Sequence, residues 1–400
     1  MSAISPGFDL AEATALLEIT QQTYDKTPGE PLSQPTPGVP PVPDPPAAWT
    51  LDTDLTPTEA TLLDNFWQVW RNSDTGAYAI AVRGTVQTPA SIFEDVFLPL
   101  LSARASLSLK ACGIDTTLSL DLARDEGESA VVAGVHAGFT LGLLLSLFTT
   151  DAPLLATLVE LDAEGAQVFI AGHSQGASVA TLLTSFVRHS SLLSDLQTKT
   201  YVFAPAKPGN DHYADDYNQI VGVPGLGFSV VSSQDWVPQV PLTLQGLQAT
   251  NTPNPVCSYE GTTTCTLGRA LGGTQNAELT TLENARDTLA EQTRGRLEST
   301  AARVKSGLPQ ATFGVTAAQL GAAPSDVEGG DAASSVIGAA CVESLIDQLI
   351  SQVLPSLNFT RAGAIVPAFA TPGANPKDPS DMFWQHHLGN YLKYLTAQYA

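Results

Sequence analysis

Short apolar runs alternate with amphipathic stretches between residues 77 and 242, and this pattern predicts alternating strands and helices. Four runs are bounded by turn-forming residues and have strand character: AYAIAVRGT (77–85), QVFIA (167–171), TYVFAPAKPGN (200–210) and FSVVSSQDWVP (228–238). The segment QGASVATLLTSFVRHS (175–190) follows the second run and has helical spacing. Strands that alternate with helices predict an α/β fold with a mostly parallel central sheet flanked by helices.

The most apolar stretch, residues 131–150, approaches the length of a membrane span. It contains His136 and three glycines, and Asp151 and Pro153 follow it directly. These features favour a buried core helix, so we predict no transmembrane segment.

The pattern outside this region is less regular. Residues 9–24 predict an amphipathic helix, and residues 28–46 hold nine prolines and predict an irregular connection. The run SLSLKACGIDTTLSLDL (106–122) has strand character. Residues 281–308 predict a long amphipathic helix, one face of which would carry Leu282, Leu289, Leu297, Val304 and Leu308.

These changes of character divide the chain into four parts. Residues 1–50 hold the first helix and the proline-rich segment, and residues 51–242 form the core. Residues 243–345 are rich in small and polar side chains and predict an insertion that serves as a cap or lid. Residues 346–400 return to the core.

The composition of the chain excludes some classes of function. The chain has 400 residues, is 43% hydrophobic and carries a net charge of −22, from 18 Lys and Arg against 40 Asp and Glu. It can therefore bury a large core, and it should repel phosphate backbones, which argues against a nucleic-acid partner. The N-terminus has no basic segment followed by an apolar one, so we predict a soluble protein without a signal peptide, either cytoplasmic or secreted after removal of a leader. Composition does not give the oligomeric state.

Four cysteines are too few for a disulfide framework in a chain of this length. Cys257 and Cys265 are close in sequence and could form a bridge in an oxidising compartment. Cys112 and Cys341 have no evident partners, and we expect them to be small buried side chains.

Candidate chemistry lies in the segment AGHSQG (171–176), which contains the pattern G-x-S-x-G. In this pattern the serine occupies a strained turn between a strand and a helix, and the backbone N–H of the next residue points into the site. An apolar strand precedes Ser174 and a helix follows it, as the pattern requires. We therefore predict that Ser174 is a nucleophile and that the Gln175 N–H is an oxyanion donor.

A serine nucleophile needs a base and an acid, and the chain order Ser, Asp, His is typical of α/β-hydrolases. Asp235 ends a predicted strand, whereas Asp211, Asp215 and Asp216 lie in a polar loop. The segment WQHHLGNYLKYL near the C-terminus offers His386 and His387. The residues alone leave both histidines open as the base.

The motifs together resemble the class 3 lipase family of α/β-hydrolases, which includes filamentous-fungal triacylglycerol lipases and bacterial relatives. The similarity covers about residues 60–242 and the terminal helix from about 380. Five segments carry it: AIAVRGT (79–85), VHAGF (135–139), VFIAGHSQGASVATLL (168–183), YVFAPAKPGN (201–210) and QDWVPQVP (234–241).

The resemblance implies an α/β-hydrolase fold and a Ser-His-Asp triad of Ser174, Asp235 and His386, with His387 as the alternative base. It implies Thr85 and Gln175 as the oxyanion hole, and structural roles for Arg83 and His136. The expected activity is hydrolysis of acylglycerol esters at an oil–water interface, with no metal and no cofactor. A short-chain carboxylesterase or polyesterase would use the same triad, and a non-catalytic binding protein on this fold is the third alternative.

The chain departs from the family in two places. About a hundred residues more than a compact member needs separate Asp235 from His386. No tryptophan follows the R-G-T turn, where a short lid helix is common. The segment VQTPASIFEDVFLPLL (86–101) offers instead a lid, an acyl-chain wall or a core helix, through Ile92, Phe93, Val96, Phe97 and Leu98.

Overall fold

A central, mostly parallel sheet forms the framework on which the helices pack. The structure is a computed structural model, and it describes residues 4–25, 36–84, 98–124, 132–243, 273–354 and 356–400. Within these ranges the largest sheet has seven strands in the order β1-β2-β3-β8-β9-β10-β12. Strands β1, β2 and β3 pair antiparallel, and β3, β8, β9, β10 and β12 pair in parallel. The predicted α/β class, with a mostly parallel central sheet flanked by helices, is confirmed.

The strands of the described residues have the following bounds. They are β1 (Trp49–Asp52), β2 (Trp67–Asn72), β3 (Tyr78–Val82), β4 (Leu100–Ser102), β5 (Arg104–Ser108), β6 (Thr117–Asp121), β7 (Gly134–His136), β8 (Gln167–His173), β9 (Gln197–Phe203), β10 (Gly227–Ser232), β11 (Val353–Leu354) and β12 (Ala364–Ala368). The four runs with strand character correspond to β3, β8, β9 and β10. The 106–122 segment contributes to the antiparallel pair of β5 and β6.

Longer helices cover both faces of the sheet. They are α1 (Leu10–Asp25), α2 (Ala137–Phe148), α3 (Leu154–Ala163), α4 (Gln175–His189), α5 (Asp211–Tyr217), α6 (Gly273–Gly307), α7 (Ala339–Ile350) and α8 (Leu388–Tyr399). One apolar core joins α1 and α8 to one face of the sheet, and another joins α2, α3 and α4 to the opposite face. Both cores can form because successive side chains of a strand point to opposite faces of the sheet. In β3, Ala79 and Ala81 face the first core, whereas Ile80 and Val82 face the second.

The most apolar stretch of the sequence forms the buried helix α2. All of its 12 residues are buried. A helix that is apolar on every side needs an apolar environment on every side, and the core supplies it. Among the described residues no helix is long and apolar enough to cross a membrane.

The strand register brings the segments that carry the candidate site residues to one edge of the sheet. Val82 pairs with Gly172, and His173 pairs with Phe203. The carboxyl ends of β3, β8 and β9 therefore lie side by side, and β10 ends next to them. The segments that follow these strands meet at this edge, where ligands bind in open α/β sheets.

The long helix after residue 272 packs on the core only through part of its length. Leu297, Val304 and Leu308 are buried, as the predicted face requires, whereas Leu289 is 40% exposed. The side chain of Leu282 lies outside the described residues. The predicted apolar face therefore holds for the carboxyl-terminal half of α6.

One expectation about the cysteines was wrong. Cys112 and Cys341 are joined in a disulfide that ties the connection between β5 and β6 to helix α7. The two residues are 229 positions apart, and sequence distance carries no information about the close Cα approach that a disulfide needs. Cys257 and Cys265 lie outside the described residues, as do Ile92, Phe93, Val96 and Phe97 of the candidate lid.

Candidate active site

Ser174 occupies the turn between β8 and α4. Its backbone has φ 60° and ψ −130°, a conformation that side-chain-bearing residues rarely adopt. The Ser174 N–H donates to the Phe203 carbonyl at 3.0 Å, which holds the turn against the end of β9. This is the strained strand-to-helix turn that the G-x-S-x-G pattern predicts.

The two glycines of the motif are required by close backbone approach. A Cβ at Gly172 would lie 2.6 Å from the Gly176 carbonyl oxygen. A Cβ at Gly176 would lie 2.4 Å from the carbonyl carbon of Arg83. Both distances are far inside van der Waals contact, so only glycine lets β3, β8 and α4 come this close.

Asp235 lies behind the site and is almost fully buried, with 3% of its surface exposed. Its Oδ2 accepts hydrogen bonds from His386 Nδ1 at 2.8 Å and from the Tyr391 hydroxyl at 2.7 Å. Its Oδ1 accepts from the Val237 N–H at 3.0 Å. A carboxylate that receives the Nδ1–H of an imidazole leaves Nε2 as the proton acceptor.

The two adjacent histidines reach different carboxylates. His387 contacts Asp381 Oδ2 through Nε2 at 3.1 Å, and Asp381 also accepts from the side-chain amide of Asn375. Burial lowers the pKa of His387 below its usual value, and the nearby Asp381 only partly opposes this shift. The structure thus brings His386, and not His387, to Asp235.

His386 also adjoins the turn that carries Ser174. The His386 and His173 rings have centroids 4.5 Å apart, and His173 Nε2 lies 2.9 Å from the His386 carbonyl oxygen. Since His173 directly precedes Ser174, the strand end and the histidine loop are held together. The Phe383 ring also contacts His386, with ring centroids 5.8 Å apart.

Two backbone segments border the space in front of Ser174. Gln175 is the first residue of α4, so its N–H has no acceptor within the helix. A Cβ at Gly84 would lie 2.8 Å from the Ser174 Cβ, so the chain beyond β3 passes beside the serine. Thr85, the other predicted oxyanion donor, lies outside the described residues.

The other residues that the sequence singled out contact groups other than Ser174, Asp235 and His386. Arg83 is fully buried and pairs with Asp64 at 2.8 Å. His136 is also buried and stacks on the Phe139 ring at 4.0 Å. Of the rival acids, Asp216 pairs with His189 at 2.8 Å.

The other two rival acids bind a different side chain or face the solvent. Asp211 accepts from the side-chain amide of Asn358 at 2.8 Å, and Asp215 is exposed. Among the described residues, no group of three His, Cys, Asp or Glu side chains could hold a metal ion.

Sequence reasoning missed one side chain at the site, Tyr24. It lies in the last turn of α1, and its hydroxyl contacts His173 Nδ1 at 2.8 Å and the Gly84 N–H at 3.0 Å. These partners are 149 and 60 positions away in the chain. Nothing in the local pattern of α1 distinguishes this tyrosine from an ordinary helix residue.

Known proteins agree with the resemblance noted in the sequence. Residues 79–245 match the sequence model of the Lipase (class 3) family. No curated protein sequence matches the chain.

The chain is similar to solved structures of fungal lipases over part of its length. A lipase from Rhizopus microsporus var. chinensis is 19% identical with TM-score 0.34, covering 48% of this chain and 56% of its own. The native Rhizomucor miehei lipase propeptide complex is 18% identical with TM-score 0.37, covering 58% and 63%. A nonglycosylated Yarrowia lipolytica lipase is 16% identical with TM-score 0.40, covering 60% and 78%. The chain therefore spans less than two thirds of the Rhizopus and Rhizomucor structures.

Proposed function

We propose that the protein hydrolyses carboxylic esters through a Ser-His-Asp triad, because residues 79–245 match the sequence model of the Lipase (class 3) family. Ser174 is the nucleophile, His386 the base and Asp235 the acid that orients the base. The observation that carries the proposal is the contact of 2.8 Å between His386 Nδ1 and Asp235 beside the strained turn of Ser174. The alternative base, His387, is engaged with Asp381.

The reaction follows from the roles of these groups. His386 Nε2 takes the proton of the Ser174 hydroxyl as Oγ attacks the ester carbonyl carbon. The negative charge that develops on the carbonyl oxygen is stabilised by the Gln175 N–H and by Thr85. The tetrahedral intermediate then collapses, and His386 returns the proton to the leaving alcohol.

Water completes the cycle. It attacks the acyl-enzyme while His386 takes one of its protons, and the carboxylic acid departs as Ser174 recovers its hydrogen from His386. Asp235 holds the imidazole in the required tautomer throughout and stabilises the imidazolium that forms twice per turnover.

The decisive test is Ser174→Ala. We expect it to lower kcat for p-nitrophenyl esters by at least about 10⁴-fold, because losing the nucleophile of a triad removes covalent catalysis altogether. The measurement is initial-rate kinetics at neutral pH. A fluorophosphonate probe should label the wild-type protein and leave the variant unlabelled.

Ser146→Ala is a matched control, since Ser146 is a buried serine of helix α2 whose hydroxyl donates to the Gly142 carbonyl within the helix. It should keep wild-type turnover. Equal rates for wild type and Ser174→Ala would reject the proposal. Such a result, together with absent labelling, would favour the non-catalytic binding protein.

For the substrate we propose acylglycerols presented at an oil–water interface, on the strength of the family match. The short-chain carboxylesterase or polyesterase is the competing assignment, because acyl-chain preference depends on the pocket and lid and not on the triad. A rate that rises when triolein is emulsified supports the lipase. A preference for dissolved butyrate esters, with no response to the interface, supports the esterase.

A further inference from the structure

One tyrosine hydroxyl joins three segments that meet at the proposed catalytic serine. The Gly84 N–H donates to Tyr24 Oη at 3.0 Å, and the same hydroxyl lies 2.8 Å from His173 Nδ1. On its other side, the His173 ring contacts the His386 carbonyl oxygen through Nε2 at 2.9 Å. A continuous hydrogen-bonded chain therefore runs from the end of β3, through the residue before Ser174, to His386.

The directions of these hydrogen bonds follow from the groups involved. A carbonyl oxygen can only accept, so His173 Nε2 must carry a hydrogen. In the neutral imidazole Nδ1 is then an acceptor, and the only donor placed to reach it among these groups is the Tyr24 hydroxyl. The hydroxyl oxygen of Tyr24 accepts the hydrogen bond from the Gly84 N–H. The hydroxyl hydrogen is then available for donation to His173 Nδ1.

Burial supports this assignment of hydrogens. It lowers the pKa of His173 well below its usual value, and the neighbouring His386 lowers it further, so the ring is neutral. Burial raises the pKa of Tyr24, so the hydroxyl keeps its proton. The neutral Tyr24 hydroxyl therefore donates to Nδ1 of a neutral His173 ring, whose Nε2–H donates to the His386 carbonyl.

Helix α1 is fixed firmly enough to hold this tyrosine in place. Its residues Leu16, Leu17 and Ile19 are buried against the sheet. Near its start, Glu12 accepts from the Lys199 ammonium at 2.5 Å and from the Tyr201 hydroxyl at 2.7 Å, and both partners belong to β9. The helix is thus bound to the sheet through apolar contacts and through an ion pair.

We propose that Tyr24 is a positioning residue of the active site, which fixes the His173 imidazole and the Gly84 backbone relative to Ser174 and His386. This inference rests on the proposed ester hydrolysis. Tyr24 touches none of the reacting atoms. It acts by keeping the segments that carry the serine, the histidine and the chain before Thr85 in one arrangement.

The test is Tyr24→Phe, which keeps the ring and removes the hydroxyl. We expect kcat for p-nitrophenyl esters to fall about tenfold, equivalent to about 1.4 kcal/mol of barrier, with KM within about twofold of wild type. The reason is that looser segments misalign the transition state more than they weaken substrate binding. Rates are measured well below the thermal midpoint of each protein.

Tyr213→Phe is the matched control. Tyr213 is buried, and its hydroxyl shares one hydrogen bond with Ser185 at 2.9 Å away from the triad. Both variants lose a buried hydroxyl and should show similar losses of thermal stability, but Tyr213→Phe should keep wild-type kcat. Equal kcat for the two variants would overturn the inference.

A second variant guards against a purely structural effect. His173→Gln interrupts the same series of hydrogen bonds at its centre. The double variant with Tyr24→Phe should therefore be as active as the less active of the two single variants. Independent, multiplied losses would contradict a shared chain. If Ser174→Ala kept wild-type turnover, the proposed function and this inference would both fail. If Ser174→Ala were inactive and Tyr24→Phe fully active, only this inference would fail.

Discussion

Single residues decide how the site can work, and the histidine doublet is the sharpest case. His386 and His387 precede the same helix and have the same chemistry. What separates them is the carboxylate that each ring reaches: Asp235, which is buried at the end of β10, or Asp381, which lies six positions back in the same loop. Each carboxylate also accepts a backbone N–H, from Val237 and Phe383 respectively, but Asp235 accepts in addition from the Tyr391 hydroxyl.

This difference predicts unequal effects of two neighbouring substitutions. His386→Ala should lower kcat by at least about 10⁴-fold, because it removes the proposed base. His387→Ala should change kcat by no more than about threefold, because that ring only braces the loop at Asp381. Steady-state kinetics on one soluble ester, with circular dichroism to check folding, make the comparison. A larger loss for His387→Ala would reassign the base to His387.

At the scale of elements, the turn between β8 and α4 depends on the absence of two side chains. Three backbones converge there: the end of β3, the end of β8 and the first turn of α4. The space that Gly176 leaves open is already filled by Arg83 and Val82 backbone atoms. The element therefore tolerates no Cβ at that position without moving a strand.

The consequence can be measured with two glycine substitutions. Gly176→Ala should destabilise the protein by about 2 kcal/mol or more and reduce activity, because its Cβ would overlap the Arg83 carbonyl. Gly295→Ala is the control, since no atom lies within 4 Å of its added Cβ on helix α6. It should stabilise the protein by about 0.5–1 kcal/mol, because alanine is the better helix former. Denaturant unfolding compares them, and a tolerated Gly176→Ala would show that the turn can open.

The elements around this turn were predictable because their signals are local. Apolar runs of strand length and flanking glycines mark β3, β8, β9 and β10, and the acid at a strand end marks Asp235. Tyr24 gave no such signal, because its role comes from packing of α1 beside residues 149 positions away. The choice between His386 and His387 was open for the same reason, since only tertiary contacts distinguish two neighbours in the chain.

At the scale of the whole molecule, the segment between Asp235 and His386 is held to the core at several points. Helix α6 packs through Leu297 and Val304, which are buried, and Leu308 directly after the helix is buried as well. The disulfide between Cys112 and Cys341 adds a covalent tie between α7 and the β5–β6 hairpin. The sequence predicted two small buried side chains without partners here, because nothing in the local pattern indicates a contact across 229 positions.

Reduction should therefore weaken the fold as a whole without removing a catalytic group. Closing a loop across 229 positions restricts the unfolded chain, and such a bridge contributes about 2–5 kcal/mol. In a chain of this size that corresponds to a fall of about 2–6 °C in the thermal midpoint. Differential scanning calorimetry with and without dithiothreitol measures the shift.

The double variant Cys112→Ser/Cys341→Ser isolates this bridge from the other cysteine pair. It should melt at the midpoint of the reduced wild type and lose its response to the reductant, while its turnover at 25 °C stays close to wild type, because neither cysteine contacts Ser174, His386 or Asp235. A reductant effect of the same size in the double variant would assign the stabilisation to Cys257 and Cys265 instead. Unchanged midpoints in every sample would mean that the tie between α7 and the hairpin adds nothing to stability, and that the buried face of α6 and α7 holds this part of the chain by packing alone.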